Sequence, residues 1–218
     1  MAYLQEYGPL LRRITGSVET SERGRMTETV NNRHTDADIA PIFTERWSTR
    51  AFSSEPLTEK EIGKLFEAAR WAPSSGNSQP WMVLYETDGP EREVFNSILR
   101  PGNQKWAPGA PLLGFFFAKN NRDDGGPLPT SQFDTGSAWM SLAFQATMMD
   151  LYAHAMAGID KDAAYDKLGV SPDDYTVICA FVAGHRGDVS DLEDDLQARE
   201  TPNDRDPVSQ HVTRGVSR

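Results

Sequence analysis

The sequence predicts an α+β fold, because amphipathic helical segments alternate with short apolar runs and turn-forming residues separate them. The run 111–118 contains L-L-G-F-F-F-A, which is nearly continuous and indicates a central strand buried on both faces of a sheet. The chain has 218 residues, of which 38% are hydrophobic, and this suits one domain of moderate size with its own core.

The elements of the first half follow from local signals. A short helix is expected over 39–46. The next helix begins with Thr58 as its N-cap, and Glu61 three residues later closes a capping box. A strand over 81–85 and a helix over 91–99 come next. The helix that begins at Thr58 is expected to bury Ile62, Leu65, Phe66 and Ala69.

The second half contains two further helices and a strand. A long helix is expected over 134–149, and its apolar stripe predicts either a core face or a subunit interface. A short helix over 161–168 has Asp160 in the N-cap position and Gly169 as its stop. The apolar run 175–183 predicts another strand. The stripe of the long helix consists of Trp139, Leu142, Ala143, Ala146 and Met149.

Composition and charge narrow the function classes. The formal net charge of −10 argues against nucleic-acid binding, which needs a basic face. The single cysteine, Cys179, excludes an internal disulfide, and its apolar surroundings predict a buried structural thiol. No apolar run has the length of a membrane span and no charged-then-apolar segment opens the chain, so a soluble cytoplasmic protein without a membrane partner is expected.

The two ends of the chain differ from the middle. Residues 1–38 are polar and lack periodicity, so they are expected to form a flexible N-terminal extension. The folded domain is expected over 39–218. Its last segment, from Thr201, is poor in apolar residues and is expected to form a C-terminal arm.

Two polar segments are candidates for ligand binding. The first, R-W-S-T-R at 46–50, has two arginines around a serine, and guanidinium groups with a hydroxyl suit a phosphate. The second, A-P-S-S-G-N-S-Q-P-W at 72–81, places small polar residues between a helix and a strand, where free donors can bind a planar polar heterocycle. The alternatives are a solvated basic patch for the first segment and a simple connector for the second.

No other segment has a recognisable catalytic pattern. The four histidines are scattered, no Cys/His cluster has metal-ligand spacing, and no glycine-rich phosphate loop or Ser/His/Asp set is evident. No metal is therefore expected, and an enzyme without its own nucleophile or base indicates a cofactor that carries the reaction.

Together the two polar segments resemble the FMN-dependent nitroreductase family. Members have an R-x-S-x-(R/K) segment and, about twenty residues later, a helix that ends in A-P-S-S-x-N-x-Q-P-W; here these are R-W-S-T-R-A-F and L-F-E-A-A-R-W-A-P-S-S-G-N-S-Q-P-W. The resemblance extends to about Gly215. It implies a three-layer α/β/α sandwich with a mixed, mainly antiparallel sheet and an FMN site.

The resemblance assigns a phosphate site near both ends of the domain. Arg46 and Ser48, with Trp47 between them, would bind the FMN phosphate, and Arg205 would be part of a late clamp. The family has a second basic residue where this chain has Asn203, so one cation is missing. Arg186 is a candidate replacement.

The resemblance also assigns contacts to the flavin ring. Arg50 would lie near the pyrimidine edge, where a cation stabilises the negative charge that accumulates on reduction. The amide of Asn103 would bind the same edge. Ala157 would offer its backbone N–H to flavin N5, and Gly158 would permit a close approach of the chain. The loop residues Pro73, Ser74, Ser75 and Asn77 would contact the ring from the neighbouring subunit.

The activity implied by the resemblance is electron transfer by a homodimer. NAD(P)H would reduce FMN at N5, and a nitroaromatic, quinone or enone would then take the electrons in a ping-pong reaction with no catalytic side chain. One alternative keeps the flavin and changes the reaction to dehalogenation, flavin fragmentation or heterocycle oxidation. Another is a binding protein that kept the fold and lost the flavin, which Asn203 and Asp150 would allow.

Overall fold

The protein was examined in a computed structural model, which describes residues 31–216. The described residues form two units: those before Ser48 together with those after Glu200, and the stretch Ser48–Glu200. In chain order the regular elements are α1 Ile42–Glu45, α2 Glu59–Arg70, β1 Trp81–Glu86, α3 Arg92–Ile98, α4 Pro101–Gln104, β2 Leu112–Lys119, α5 Ser131–Met148, β3 Tyr152–Met156, α6 Lys161–Leu168, β4 Tyr175–Gly184 and α7 Asp194–Gln197.

The larger unit, Ser48–Glu200, is built on a four-stranded sheet with the order β1-β2-β4-β3. Each pair of neighbouring strands is antiparallel. Strand β2 lies in the interior of the sheet, and all its residues except the last are buried. This confirms the central strand that the run 111–118 predicts.

Helices cover both faces of this sheet. On one face α2 and α5 pack against Leu112, Phe116 and Phe181. On the other face α3 and α6 pack against Phe115 and Phe117. The α+β fold with three layers is therefore confirmed. The sheet was expected to be mixed and mainly antiparallel. In the described residues every pair of neighbouring strands is antiparallel, and there is no parallel pair.

Several local predictions are confirmed by the helix ends. Thr58 and Glu61 form a capping box at the start of α2. The Asp160 side chain accepts a hydrogen bond from the N–H of Ala163, and Gly169 ends α6 in the left-handed conformation with φ of 66°. Because these signals depend on residues three or four positions apart, local sequence was sufficient to find them.

Other local predictions differ from the structure. Strand β3 was not predicted, because Y-A-H-A-M has neither a clear alternation nor a long apolar run. Helix α1 is shorter than the predicted 39–46, because Pro41 disfavours helical geometry in the residue before it. Helix α5 begins at Ser131, three residues before the predicted start. In its apolar stripe, Leu142, Ala143 and Ala146 are buried in the core, while Trp139 and Met149 are only partly buried against it. The core face is therefore confirmed, and the alternative of a subunit interface stays a prediction.

The smaller unit contains α1 and two segments without strands, 31–41 and 201–216. The predicted extension over 1–38 falls mostly outside the described residues, so it stays a prediction. The 201–216 segment exposes Val208, Val212 and Val216, an unusual number of large apolar side chains for a short segment. In the described part of the chain, no helix has the length and apolar character needed to cross a lipid bilayer.

Candidate functional site

The smaller unit brings together two predicted phosphate ligands and a third arginine. Arg46 follows α1, and Arg205 lies on the C-terminal segment. Between them, Arg33 donates from Nη1 to the carbonyls of Thr44 at 2.8 Å and Arg46 at 2.7 Å, and from Nε to the carbonyl of Asn203 at 2.8 Å. Arg33 therefore ties the chain before Arg46 to the chain before Arg205.

The charges of these arginines act on one another. Burial lowers the pKa of Arg46, and the nearby positive charges of Arg33 and Arg205 lower it further. Burial and the charge of Arg205 also lower the pKa of Arg33, while Asp204 acts in the opposite direction. A group of like charges is stabilised when a dianion binds among them, so the arrangement suits a phosphate.

The carboxylate nearest to this cluster is already engaged. Asp204 accepts hydrogen bonds from Nδ1 of His34 at 2.8 Å and from its backbone N–H at 3.2 Å. These bonds from His34 are the main cause that lowers the pKa of Asp204 to about 2. Arg205 Nη1 donates to the carbonyls of Asn203 and Asp204.

Arg33 was missed by sequence reasoning. It lies in the polar run N-N-R-H-T-D-A-D, which has no motif and was expected to be part of the extension. Arg186, the candidate replacement for the cation missing at Asn203, belongs to the larger unit, where it forms an isolated bridge with Phe52. Trp47 has only 6% of its surface exposed, so little of this residue is accessible to a ligand.

In the larger unit, the segment Ser48–Ala51 is held by the buried carboxylate of Glu200. Thr49 donates its hydroxyl to Glu200 Oε1, and the N–H of Arg50 donates to both carboxylate oxygens at 3.0 and 3.1 Å. The N–H of Ala51 adds a longer bond of 3.3 Å. Nη1 of Arg50 lies 3.9 Å from Oε2 of Glu200.

The same segment is joined to strand β3. Nδ1 of His154 lies 2.7 Å from the carbonyl of Thr49, which requires the hydrogen to be on Nδ1. The His154 ring packs on the Trp106 ring with centroids 4.6 Å apart. His154 thus has the packed position that is the commoner one for a histidine. It links Arg50 and its neighbours to the strand that leads to Ala157 and Gly158.

Asn103 and Gly158 are in direct contact. Nδ2 of Asn103 donates to the carbonyl of Gly158 at 2.9 Å. A Cβ atom at Gly158 would lie 2.6 Å from this nitrogen, so the glycine makes room for the asparagine. The bond fixes the amide, and no described residue donates to its Oδ1. Ala157 follows the end of β3, and no described backbone group accepts from its N–H.

The loop Pro73–Asn77 is held by a second buried carboxylate. Oδ2 of Asp134, at the start of α5, accepts from the N–H of Ser75 at 3.2 Å and from the Thr130 hydroxyl at 3.0 Å. Gly76, Asn77 and Gln79 have φ values of 59°, 56° and 44°. Such left-handed residues are strained unless they are glycine, and strain of this kind is common at functional sites.

This loop is separate from the other predicted ring contacts in a single chain. Among the described residues, no hydrogen bond or ring contact joins it to Arg50, Asn103 or Gly158. It lines a cavity of about 500 Å³ with Lys119, Arg122 and Thr130. The loop therefore borders a cavity whose lining does not include Arg50, Asn103 or Gly158 of the same chain.

Neither a reactive cysteine nor a metal cluster is evident among the described residues. Burial raises the pKa of the Cys179 thiol to about 12, as expected for a structural cysteine. Within residues 31–216, no cluster of three or more His, Cys, Asp or Glu side chains is arranged to hold a metal ion.

Comparisons with known proteins agree with the motifs. The family model described as "Nitroreductase family" matches residues 43–100. A Streptomyces coelicolor protein named as an NADH dehydrogenase/NAD(P)H nitroreductase is 31% identical over 74 residues, which are 34% of this chain and 37% of that protein. The oxygen-insensitive NAD(P)H nitroreductase of Salmonella typhimurium is 33% identical over 91 residues, 40% of this chain and 42% of that enzyme.

The curated relatives are matched over only part of their length. The first of them are covered over about a quarter to just over a third of their own chains, at 37%, 33% and 25%. A solved structure extends the likeness much further. It is a crystal structure described as an oxidoreductase containing FMN, with 38% identity and a TM-score of 0.82 over 88% of this chain and 98% of that chain.

The family model matches both polar segments, within residues 43–100, and the solved relative is 38% identical over 88% of this chain. On these grounds the chain belongs to the nitroreductase family.

Proposed function

We propose that this protein is an NAD(P)H-dependent FMN oxidoreductase that passes electrons to an electron-poor acceptor such as a nitroaromatic, a quinone or an enone. The observation that carries the proposal is the cluster of Arg33, Arg46 and Arg205, because its mutual repulsion calls for a dianionic ligand such as a phosphate. The likeness to an oxidoreductase described as containing FMN supports the same cofactor.

When bound, FMN would supply the hydride-accepting and electron-transfer chemistry that no side chain of this protein provides. The protein's residues would bind, orient and tune. Arg46 and Arg205 would pair with the phosphate oxygens, and Ser48, two residues after Arg46, would add a hydroxyl donor. Arg33 would hold the two chain segments that carry these arginines, through its bonds to the carbonyls of Arg46 and Asn203.

The larger unit would bind the ring. Oδ1 of Asn103 would accept from the imide N–H of the pyrimidine edge, because its Nδ2 is oriented by the carbonyl of Gly158. The N–H of Ala157 would donate to N5. Arg50 would stabilise the negative charge of the reduced ring. No side chain would need to act as a base.

The functional form would be a homodimer. Among the described residues, no hydrogen bond joins the loop Pro73–Asn77 to Arg50, Asn103 or Gly158, so a second copy would supply it. Phe133, which precedes Asp134, exposes 78% of its surface beside this loop's anchor, and an aromatic side chain so exposed suits a partner contact.

The test is the visible absorption spectrum of the purified protein, followed by anaerobic addition of NADH or NADPH. The proposal expects the bands of oxidised flavin, about one FMN for each chain, and bleaching by at least one nicotinamide. A colourless protein that gains no thermal stability from added FMN would contradict it. A yellow protein that neither nicotinamide bleaches would keep the cofactor and contradict the reaction.

A further inference from the structure

Glu200 is a buried carboxylate in the candidate site. Its side chain has no solvent exposure. It lies 150 residues after Arg50, yet both of its oxygens accept from the Arg50 backbone. A buried carboxylate persists only where donors compensate its loss of water, so this position is specifically stabilised.

Every described group that contacts the carboxylate is a donor. The hydroxyl of Thr49 and the backbone N–H groups of Arg50 and Ala51 donate to it, and the Arg50 guanidinium lies 3.9 Å away. No contacting group accepts a proton from it. This set of partners matches an ionised carboxylate, which accepts at all of its lone pairs.

The Arg50 side chain is held close to that negative charge. Only 22% of the Arg50 side chain is exposed, so little water screens the pair. The electric field that Arg50 presents to a neighbour is therefore the field of a partly neutralised cation.

We propose that Glu200 is a positioning residue that orients Arg50 and lowers its effective charge, and thereby holds the reduction potential of bound FMN below the value that Arg50 alone would give. This inference rests on the proposed function, in which Arg50 lies at the pyrimidine edge. It assigns to one buried carboxylate a control over the cofactor that the motif residues alone do not explain.

The orientation of Arg50 and the lowering of its effective charge both result from the position of the Glu200 carboxylate. The bonds to the backbone of residues 49–51 fix where the Arg50 side chain begins, and the carboxylate opposite its guanidinium fixes its charge environment. If the carboxylate is neutralised, the cation at the ring edge is less compensated. The reduced ring, which is the more negative form, then gains more stabilisation than the oxidised ring.

The test measures the midpoint potential of FMN bound to the whole protein, together with the dissociation constants of oxidised and reduced FMN, for the wild type and for Glu200→Gln. We expect the ratio of the oxidised to the reduced dissociation constant to rise about tenfold. For a two-electron couple this is a positive shift of about 30 mV. The matched control is Glu67→Gln, which removes a carboxylate paired with Arg70 on the exposed surface of α2 and should leave the potential unchanged.

The outcomes separate this inference from the proposed function. A wild type that binds no FMN would overturn both. A wild type that binds FMN, with a Glu200→Gln variant whose potential is unchanged or more negative, would overturn the inference alone. A purely structural role for Glu200 would weaken both dissociation constants equally and would leave the potential where it was.

A second comparison tests whether Glu200 acts through Arg50. The two proteins compared are the variant Arg50→Gln and the double variant Arg50→Gln with Glu200→Gln. Both lack the positive charge of Arg50. If Glu200 acts through Arg50, the two variants have the same potential, since the group that transmits the effect is absent. A positive shift of the double variant relative to Arg50→Gln would contradict the proposed route.

Discussion

The two polar segments identified in the sequence are each held by one buried carboxylate, but the two carboxylates hold them differently. Glu200 binds the backbone of residues 49–51 and also faces the Arg50 guanidinium. Asp134, with 3% of its surface exposed, binds the backbone of Ser75 and the Thr130 hydroxyl, and no described cation contacts it.

The contacts of each carboxylate determine which property of its segment it controls. A carboxylate that contacts only backbone and hydroxyl donors controls the shape of a loop. A carboxylate that also contacts a cation controls shape and local charge together. The first segment is therefore expected to depend on its anchor for stability and for electrostatics, and the second for conformation alone.

The largest expected effect is that of Glu200→Ala. The substitution leaves the Thr49 hydroxyl and the N–H groups of Arg50 and Ala51 without their buried acceptor, so the free energy of unfolding should fall by about 3 kcal/mol. Urea unfolding followed by circular dichroism measures this. A loss below about 1 kcal/mol would show that water or other groups replace the carboxylate, and would remove the contrast with Asp134.

The second effect is that of Asp134→Ala, for which we expect a loss of about 1–2 kcal/mol because two bonds are lost rather than a buried ionic site. Amide hydrogen exchange of residues 74–78 should become faster while exchange in the sheet is unchanged. Asp134→Asn keeps an acceptor for Ser75 and is the control. Faster exchange throughout the larger unit would contradict a role confined to the loop.

The third effect concerns the other end of the first segment, where Arg33 bonds to the carbonyl of Arg46. Arg33→Gln should weaken FMN binding about tenfold, because it removes one of three clustered cations and loosens the segment that carries Arg46. Arg33→Lys keeps the charge but not the fork of donors, so its affinity should lie between the two. An affinity for FMN equal to that of the wild type in both variants would exclude Arg33 from the site.

The smallest effect is a null result for the single cysteine. Burial raises the pKa of Cys179 to about 12, so the native protein at pH 8 should not react with a thiol reagent within minutes, whereas the urea-unfolded protein should react fully. The raised pKa also means that stability falls as pH rises from the ordinary value for cysteine, about 8.5, toward 12. Stoichiometric labelling of the native wild type would contradict the raised pKa of this thiol.

The thiol also sharpens the contrast between the anchors. Cys179 lies on the sheet face covered by α2 and α5. In Asp134→Ala, a loop that loosens alone should leave Cys179 unreactive. Labelling of this variant in native conditions would show that loss of the anchor opens the layer above the sheet.

The fold was largely predictable because local sequence patterns and family motifs indicate most of its helices and strands. The central strand β2 follows from a continuous apolar run, and the start of α2 follows from Thr58 and Glu61 alone. Strand β3 was not predictable from Y-A-H-A-M, because its two buried residues, Ala153 and Met156, are three positions apart and pack on opposite faces of the sheet, which gives no alternating pattern.

The candidate site was predictable in its motif residues and not in their supports. Arg46, Arg50, Asn103 and Gly158 stand in patterns that can be found by spacing. Glu200 and Asp134 act over 150 and 59 residues of sequence, and each appears as one more acidic residue in an acidic chain. Arg33 lies in a polar run without periodicity. Only the folded chain brings these groups to the segments they hold.

The central claim, that the arginine cluster binds the phosphate of FMN, is tested most directly by titrating the wild-type protein with FMN and with riboflavin, which has the same ring and no phosphate. We expect one FMN for each chain and an affinity for riboflavin at least about tenfold weaker, because riboflavin lacks the phosphate and its charge-assisted bonds to the arginines. Equal affinity for the two flavins, or no binding of FMN, would contradict it.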